Sequence, residues 1–508
     1  MKTNLLEYFE QTVYRNKERS AVIDGDQSIS FSELHNKARM LACNIISLKN
    51  YTNKPIAVFL PKSIKSVVSD IGITYSGNTY MNIDVKSPKA RIENILKQIE
   101  PVLIITDNEH ISFLNDLVMS GDILNISTFD FNESFDQDIL NTIFRRIIDT
   151  DPYCIINTSG STGTPKGVVL NQKSFIDFTE WVIKTLEIND NEIVGSLSPI
   201  VFDIYSFELC MLMSKGSTIV LIPEKLNAYP ASILNILQLT KVSFIFWVPT
   251  IMVNIANMDL LNKIELPDLK TVWFAGEVFP TKQFNYWRKI LKSSKFVNLY
   301  GPIEITLDCT YYIAERELQD DEPIPIGFPC RNTDILILTD DDQPVGEKEE
   351  GELCVRGSSL AMGYYNNPQK TAEAFVQNPL NSHYPELIYR TGDIVYKNDF
   401  GEILFKGRKD SLVKHLGYRI ELGEIEHVVV NTLKLVNNAC VVYNKSKKEI
   451  ALIYEAPSEL PVPEFRIALS KEFPKYMIPT AYRHMQVLPR NTNGKIDRLA
   501  LSKIVNDD

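Results

Sequence analysis

Short runs of consecutive apolar residues alternate with longer periodic segments between about residues 20 and 330. Segments 174–186 and 232–239 have the apolar spacing of helices. Continuous apolar strands that alternate with helices are typical of α/β layers with largely parallel sheets. The runs that predict buried strands are 55–60, 102–106, 154–157, 217–222 and 242–248.

The pattern changes beyond residue 330. Apolar runs at 334–339, 351–356 and 403–406, separated by Gly, Pro and Asp, predict a β-rich portion. Strands near 439–443 and 449–454 and a helix near 462–473 then predict a small α+β domain. Charge and the loss of apolar pattern place the boundary at Lys409 and Asp410. The predicted fold is therefore α/β, with a large N-terminal domain of layered α/β subdomains and a β-rich portion (1–409) and a small C-terminal domain (410–508).

Composition narrows the class of protein. The chain has 508 residues, more than one hydrophobic core supports, and its 44% hydrophobic residues are usual for a globular protein. The net charge of −11 disfavours binding to nucleic acid or to acidic membranes. No long apolar segment or signal peptide is evident, so we expect no membrane insertion and a cytoplasmic location. Seven scattered cysteines predict buried free thiols, and the histidine spacing predicts no zinc site.

A loop rich in glycine and hydroxyl residues follows the strand at 154–157. Residues 157–167 read NTSGSTGTPKG. Glycines let backbone N–H groups approach an anion closely, and the hydroxyl groups and one lysine add donors. The spacing is not that of a Walker loop. A flexible surface loop is the plainer interpretation, but the order of residues after a buried strand favours a phosphate site. The predicted phosphate-binding residues are Thr158, Ser159, Gly160, Ser161, Thr162, Gly163 and Lys166.

The order TSGSTGTPKG resembles the phosphate loop of the adenylate-forming superfamily, which includes acyl-CoA synthetases, luciferases and amino-acid adenylation enzymes. The resemblance extends over nearly the whole chain. The forms GYRIELGEIE and NGKIDR are most similar to amino-acid adenylation enzymes. The chain length without an appended carrier domain, and the run NQKSFIDFTEWV at 171–182, resemble D-alanine–carrier-protein ligases. The other blocks stand in the family's order and are YGPIE (300–304), YRTGD (389–393), GRKDSLVKHLGYRIELGEIE (407–426), YMIP (476–479) and NGKIDR (493–498).

The resemblance implies an ATP site with Mg²⁺. In it, Tyr300 stacks on adenine, Glu304 binds Mg²⁺, Asp393 accepts the ribose hydroxyls, Arg408 approaches ribose or phosphate, and Lys495 is the catalytic lysine. Without the resemblance these would be a core tyrosine, solvated carboxylates and exposed basic residues. The chain has Ile where the family usually has Thr just before Glu304, so one hydroxyl group is missing there. Two further residues expected at the ATP site are Asn298 and Gly301.

The implied reaction has two steps. A carboxylic acid and ATP give an acyl-adenylate and pyrophosphate, and the thiol of a phosphopantetheinylated carrier protein then displaces AMP. Lys495 would bridge the carboxylate and the α-phosphate, because a cation lowers the barrier between two anions. The resemblance makes the small domain mobile, with its hinge at Asp410 and the face bearing 414–417 lining the thiol tunnel in the second step.

Asp203, in VFDIYSFE, indicates which kind of acid is activated. Amino-acid adenylation enzymes place an Asp here against the α-ammonium group, although a helix-capping Asp is the alternative. Ala275 stands where D-alanine ligases typically carry Cys, which leaves another small amino acid or the L-isomer equally open. Asp308 either binds a polar side chain or faces solvent. The full predicted pocket is Asp203, Ile204, Phe207, Phe246, Trp273, Ala275, Leu299, Leu307 and Asp308.

The sequence thus predicts a ligase that activates a small amino acid and transfers it to a carrier protein. An acyl- or aryl-CoA synthetase of the same superfamily is the alternative within the class. A non-catalytic nucleotide-binding protein is the alternative outside it, and the retention of Lys166, Glu304, Asp393 and Lys495 argues against that.

Overall fold

The computed structural model describes residues 2–48, 51–117, 121–131, 136–158, 165–409, 412–436, 438–489 and 496–506. The α-helices within them are α1 Leu6–Asn16, α2 Phe31–Leu48, α3 Ile64–Tyr75, α4 Lys89–Ile99, α5 Ile111–Asn115, α6 Gln137–Phe144, α7 Gln172–Thr185, α8 Asp203–Lys215, α9 Pro230–Leu239, α10 Pro249–Asn257, α11 Thr281–Ile290, α12 Pro368–Ala374, α13 Leu422–His427, α14 Val462–Leu469 and α15 Arg498–Asn506.

The strands of the described residues are β1 Ser20–Asp24, β2 Gln27–Ser30, β3 Pro55–Val58, β4 Thr79–Asn82, β5 Leu103–Thr106, β6 Asp122–Asn125, β7 Pro152–Thr158, β8 Lys166–Asn171, β9 Ile193–Ser196, β10 Thr218–Leu221, β11 Phe244–Trp247, β12 Thr271–Phe274, β13 Lys295–Tyr300, β14 Thr310–Ile313, β15 Phe328–Pro329, β16 Thr333–Leu338, β17 Gly351–Gly357, β18 Gly363–Tyr364, β19 Phe375–Gln377, β20 Leu387–Lys397, β21 Ile403–Arg408, β22 Leu412–His415, β23 Tyr418–Glu421, β24 Asn438–Asn444, β25 Glu449–Glu455 and β26 Ala481–Met485.

Contacts within the chain divide it into two compact units. The first consists of Met1–Val85, Glu100–Ile156 and Val168–Gly407, and the second of Lys86–Ile99, Asn157–Gly167 and Arg408–Asp508. The last segment of the second unit begins beside the predicted boundary, whereas its two shorter segments come from the predicted large domain. The predicted hinge residue, Asp410, lies outside the described residues.

Two parallel sheets form the first unit's core, as the continuous apolar runs predicted. Sheet A has the order β15-β14-β13-β12-β11-β9-β10-β1-β2, and sheet B has the order β18-β8-β7-β4-β3-β5-β6. Strands β9 to β13 of sheet A run parallel, as do β3 to β7 of sheet B. One hydrophobic cluster contains side chains from both sheets and from helices α2, α3, α7 and α8. The predicted α/β layers are therefore confirmed.

The β-rich portion and the small α+β portion are also present as predicted. Sheet C, in the first unit, has the antiparallel order β16-β17-β20-β19, with β21 on β20. In the second unit, β22 and β23 form a hairpin and β24, β25 and β26 form a small sheet. Apolar side chains from this sheet, α13 and α14 make up the second unit's main hydrophobic cluster. All seven cysteines are free and buried, which confirms that prediction.

Gly327 shows how tightly the β-rich portion joins sheet A. Its φ is +83°, and it exchanges backbone hydrogen bonds with Ile403. A Cβ added here would lie 2.0 Å from the carbonyl oxygen of Tyr311, so only glycine allows the two backbones to approach. Gly401 has a similar φ of +73° but no atom within 4 Å of an added Cβ.

We expect Gly327→Ala to destabilise the first unit much more than Gly401→Ala. Left-handed backbone alone costs an alanine about 1–2 kcal/mol, and a backbone clash adds roughly 1–3 kcal/mol or more. Urea unfolding followed by tryptophan fluorescence measures both variants, and Gly401→Ala controls for backbone conformation. Equal losses in the two variants would contradict the close approach at Gly327.

Candidate functional site

The apolar part of the predicted pocket lies on one face of sheet A. Phe246 of β11 is paired in register with Trp273 of β12, so both side chains project on the same side. Phe207 of α8 stacks on Trp273 with ring centroids 5.8 Å apart and contacts Phe246 edge-on at 6.1 Å. All three aromatic side chains are fully buried. The same hydrophobic cluster also contains the other apolar residues of the predicted pocket, namely Ile204, Ala275, Leu299 and Leu307.

Asp203 is the first residue of helix α8, which presents it above this aromatic floor. Phe202 holds the N-cap position and makes no side-chain cap, while the Asp203 carboxylate accepts the Ile204 N–H at 3.0 Å. Negative charge is favourable in the first turn of a helix. Asp203 is partly exposed, whereas every residue from Ile204 to Met213 is buried. The carboxylate therefore combines a fixed position with access from outside the helix.

A strained loop brings Leu307 and Asp308 to the pocket. Thr306 and Leu307 both have positive φ, +54° and +65°, and the Cys309 N–H returns to the Tyr300 carbonyl at 2.8 Å. A Cβ on Gly301 would lie 2.3 Å from the Leu307 carbonyl oxygen, so the tight loop requires glycine there. Asp308 is only 3% exposed, which excludes the interpretation that it faces solvent.

Glu304, the predicted Mg²⁺ ligand, lies in the same loop and is fully buried. Its Oε1 accepts the Tyr364 hydroxyl at 2.8 Å, and its carbonyl accepts the Ala361 N–H at 2.9 Å. Mg²⁺ prefers carboxylate oxygens, so the chemistry of the Glu304 side chain suits the predicted metal. Sequence reasoning missed Tyr364, which lies in the short strand β18 that pairs with β8, because nothing in its GYYNN segment marks it as a partner of Glu304.

The predicted adenosine-binding residues are brought together in the first unit. The Tyr300 hydroxyl donates to Oδ2 of Asp393, whose own N–H is held by the Thr391 hydroxyl at 3.0 Å. Both residues are nearly buried. Asn298 donates its amide to the Pro325 carbonyl at 2.8 Å, which fixes the end of β13. These contacts hold an aromatic ring and a carboxylate side by side, as a nucleoside site requires.

Two ion pairs mark the predicted phosphate loop and its surroundings in the second unit. Lys166 Nζ lies 3.7 Å from Glu421, and Arg91 Nη1 lies 3.1 Å from the almost fully buried Glu424. The Thr158 hydroxyl reaches the Lys166 carbonyl at 3.4 Å. Arg408 ends strand β21. The other predicted residues, namely Ser159, Gly160, Ser161, Thr162, Gly163, Asp410 and Lys495, lie outside the described part of the chain.

Two buried carboxylates near the start of α8 have perturbed acidity. Burial raises the pKa of Asp70 to about 7, although hydrogen bonds from Asn82 and Tyr205 oppose it. Burial likewise raises the pKa of Glu208, and Ser196 and the Lys62 ammonium oppose that. Among the described residues, no cluster of three or more His, Cys, Asp or Glu could hold a metal ion. No described helix combines the length and apolar character needed to cross a membrane.

Comparisons with known proteins agree with the predicted family. A family model for AMP-binding enzyme matches residues 9–365. Gramicidin S synthase 2 of Brevibacillus brevis is 31% identical over 500 residues, and the match spans 97% of this chain but only 11% of that protein. Zwittermicin A synthase ZmaJ of Bacillus cereus is 29% identical over 514 residues, which span 100% of this chain and 96% of that protein. This chain therefore matches nearly the whole length of the zwittermicin A synthase ZmaJ but only a small part of gramicidin S synthase 2.

Solved structures have the same fold. The adenylation domain AlmE of Vibrio cholerae, in complex with glycyl-adenosine-5'-phosphate, gives a TM-score of 0.85 at 20% identity over 100% of this chain and 98% of that one. NpsA-ThdA, an artificially fused adenylation-PCP di-domain NRPS from Klebsiella oxytoca, gives a TM-score of 0.79 at 20% identity over 94% and 93% of the two chains. Since the family model covers most of the chain, this protein belongs to the AMP-binding enzymes of the adenylate-forming superfamily, which use ATP with Mg²⁺.

Proposed function

We propose that this enzyme activates a small amino acid as its aminoacyl-adenylate and transfers it to the phosphopantetheine thiol of a carrier protein. The observation that carries the proposal is the position of Asp203 at the head of α8, above a floor filled by Phe207, Phe246 and Trp273. A carboxylate that is open on one side suits an α-ammonium group. A floor of fully buried aromatic rings leaves little volume for a substrate side chain.

The similar solved structures support both halves of the proposal. AlmE is described with a glycyl adenylate, the smallest aminoacyl adenylate, and NpsA-ThdA joins an adenylation domain to a PCP. We infer the amino-acid substrate and the carrier protein from that similarity and from the sequence motifs of this chain. Asp308 is buried beside Leu307, so a small side chain with a polar group is as compatible with the pocket as an apolar one.

Each residue has a defined part in the proposed reaction. Asp203 binds the ammonium group, and the aromatic floor limits the side chain. Tyr300 and Asp393 hold the nucleoside, and Glu304 would hold Mg²⁺, which neutralises phosphate charge when bound. Lys495 stabilises the negative charge that develops as the carboxylate attacks the α-phosphate. The carboxylate is already ionised near neutral pH, so adenylation needs no general base.

The proposal is tested first at Asp203. Asp203→Ala should abolish the preference for an amino acid over its deaminated analogue, because a buried ammonium group without its partner costs about 3–5 kcal/mol. Pyrophosphate exchange with D- and L-amino acids and the matching deaminated acids measures this. Asp203→Asn is the matched variant, since it keeps the shape of the side chain and removes its charge. It should also lose most of the preference for the amino acid over its deaminated analogue.

Three results would contradict the proposal. A wild-type enzyme that prefers deaminated acids would be an acyl- or aryl-CoA synthetase, as CoA consumption would then show. If Asp203→Ala keeps the same preference for the amino acid over its deaminated analogue, Asp203 does not bind the ammonium group and is only a carboxylate at the start of a helix. Absence of pyrophosphate exchange with every acid would leave a nucleotide-binding protein without catalysis.

Lys495→Ala should slow adenylation by roughly two to four orders of magnitude while ATP affinity changes little, because one positioned cation contributes about that much in the transition state. Pyrophosphate exchange and isothermal titration with ATP measure the two effects. Thiolation from pre-formed adenylate should be much less affected. An adenylation rate within about tenfold of wild type would remove Lys495 from the mechanism.

The pocket floor gives a paired prediction. Ala275→Leu should raise the KM for the preferred amino acid strongly without raising the KM for ATP, because added methylenes in a packed site cost roughly 1–3 kcal/mol. Trp273→Ala should admit larger side chains such as Leu or Phe. The exchange panel and the melting temperature are measured on both variants. If Trp273→Ala only destabilises, by about 3–5 kcal/mol, Trp273 belongs to the core and not to the pocket.

A further inference from the structure

Helix α8 carries three of the predicted pocket residues, yet its N-cap residue, Phe202, makes no side-chain cap. The apolar contacts of Phe207 fix it against sheet A. Apolar contacts are not directional, so they alone tolerate small rotations and shifts of a helix. Recognition of an ammonium group requires the position of a carboxylate to within a fraction of an ångström. Directional bonds are therefore expected in the first turn of α8.

The structure has two such attachments, made by Tyr205 and Ser206 in the first turn of α8. The Tyr205 hydroxyl donates to Oδ2 of Asp70 at 2.9 Å, and the same oxygen accepts the Asn82 amide at 3.2 Å. The Tyr80 hydroxyl donates to Oγ of Ser206 at 2.8 Å. Asp70 is on α3, and Asn82 and Tyr80 are on β4. The first bond therefore joins the first turn of α8 to helix α3, and the second joins it to strand β4 of sheet B.

The surroundings make the Tyr205–Asp70 bond strong and directional. Asp70 and Tyr205 are at most 1% exposed, so water does not compete for the bond. Oδ1 of Asp70 is buried with no hydrogen-bond partner in the described structure, so its retention there costs stability. Such a cost is characteristic of a group kept for positioning.

The second bond is in the same helical turn as Asp203, because Ser206 follows Asp203 by three residues and residues at that spacing are neighbours on a helix surface. The Ser206 hydroxyl also reaches the Cys154 thiol, at 3.9 Å.

We propose that Tyr205 and Asp70 are positioning residues for amino-acid recognition, and that their hydrogen bond sets the rotation and height of the first turn of α8 so that Asp203 meets the ammonium group. This inference rests on the proposed function. Neither residue contacts the substrate. Tyr80 and Ser206 form a second attachment in the same turn.

Tyr205→Phe tests the inference because it removes one hydroxyl group and keeps the ring. The KM for the preferred amino acid should rise about tenfold, with the KM for ATP within about twofold of wild type. The preference for the amino acid over its deaminated analogue should fall by a similar factor. Asp70→Asn keeps the shape and an acceptor oxygen, so it should show a smaller change in the same direction.

Tyr75→Phe is the matched control. Tyr75 is on the same helix as Asp70, is also fully buried, and donates its hydroxyl to a carboxylate, that of Glu10, at 2.7 Å. Glu10 is on α1, so this bond does not attach α8. The control should lower the melting temperature as much as Tyr205→Phe does and leave both KM values unchanged.

Two outcomes overturn the inference. In one, Tyr205→Phe loses stability like Tyr75→Phe but keeps both KM values, so the bond is only structural. In the other, the KM values for ATP and amino acid rise together, so the whole site is disturbed. If Tyr205→Phe does not fold, Asp70→Asn is judged by the same criteria. A failure of the proposed function itself is recognised separately, since wild type would then show no preference for the amino acid.

Discussion

Burial of helix α8 on all its sides is the constraint on which the site depends. One side packs Phe207 against the aromatic residues of sheet A, and another bonds Tyr205 to helix α3 and Ser206 to strand β4 of sheet B. A helix enclosed in this way can move only if both sheets adjust, because protein interiors are close-packed. The same packing restrains the backbone position of Asp203, the partly exposed residue at the start of the helix. Rigid packing behind a single accessible carboxylate is the arrangement that selective binding of a small cation needs.

The floor of the pocket follows from the same packing. Phe246 and Trp273 are neighbours because β11 and β12 are parallel and in register, and α8 then places Phe207 over them. Their rings meet edge-on or stacked at centroid distances between 5.7 and 6.1 Å, so they support one another rather than an open cavity. The size selection that we propose for this site would thus be produced by the core of the protein. Any change of substrate size by mutation must be balanced against the stability of that core.

The sequence predicted those helices and strands whose own residues show a hydrophobic pattern. Strands β3, β5, β10 and β11 were evident as continuous apolar runs, because parallel strands are buried on both faces. Helix α3 was not identified: residues 66–75 are all buried, so it has no polar face to give a helical period. The pocket positions came from the family resemblance, and the structure adds only which of them touch. Pairings between distant residues left no local pattern at all, as with Tyr364 and Glu304 or Tyr205 and Asp70.

The loop from Tyr300 to Cys309 explains how one segment can serve both substrates. It holds Glu304, predicted for the metal of ATP, and Leu307 and Asp308, predicted for the amino acid. Two consecutive non-glycine residues with positive φ cost about 1–3 kcal/mol each, and such strain persists only where the surroundings over-determine it. Here the Cys309–Tyr300 backbone bond, the close approach at Gly301 and the Thr306–Ser174 hydroxyl contact at 3.0 Å supply that restraint. The loop therefore joins the residues predicted for the nucleotide to residues predicted for the amino acid, whereas the predicted residues of α8 all belong to the amino-acid pocket.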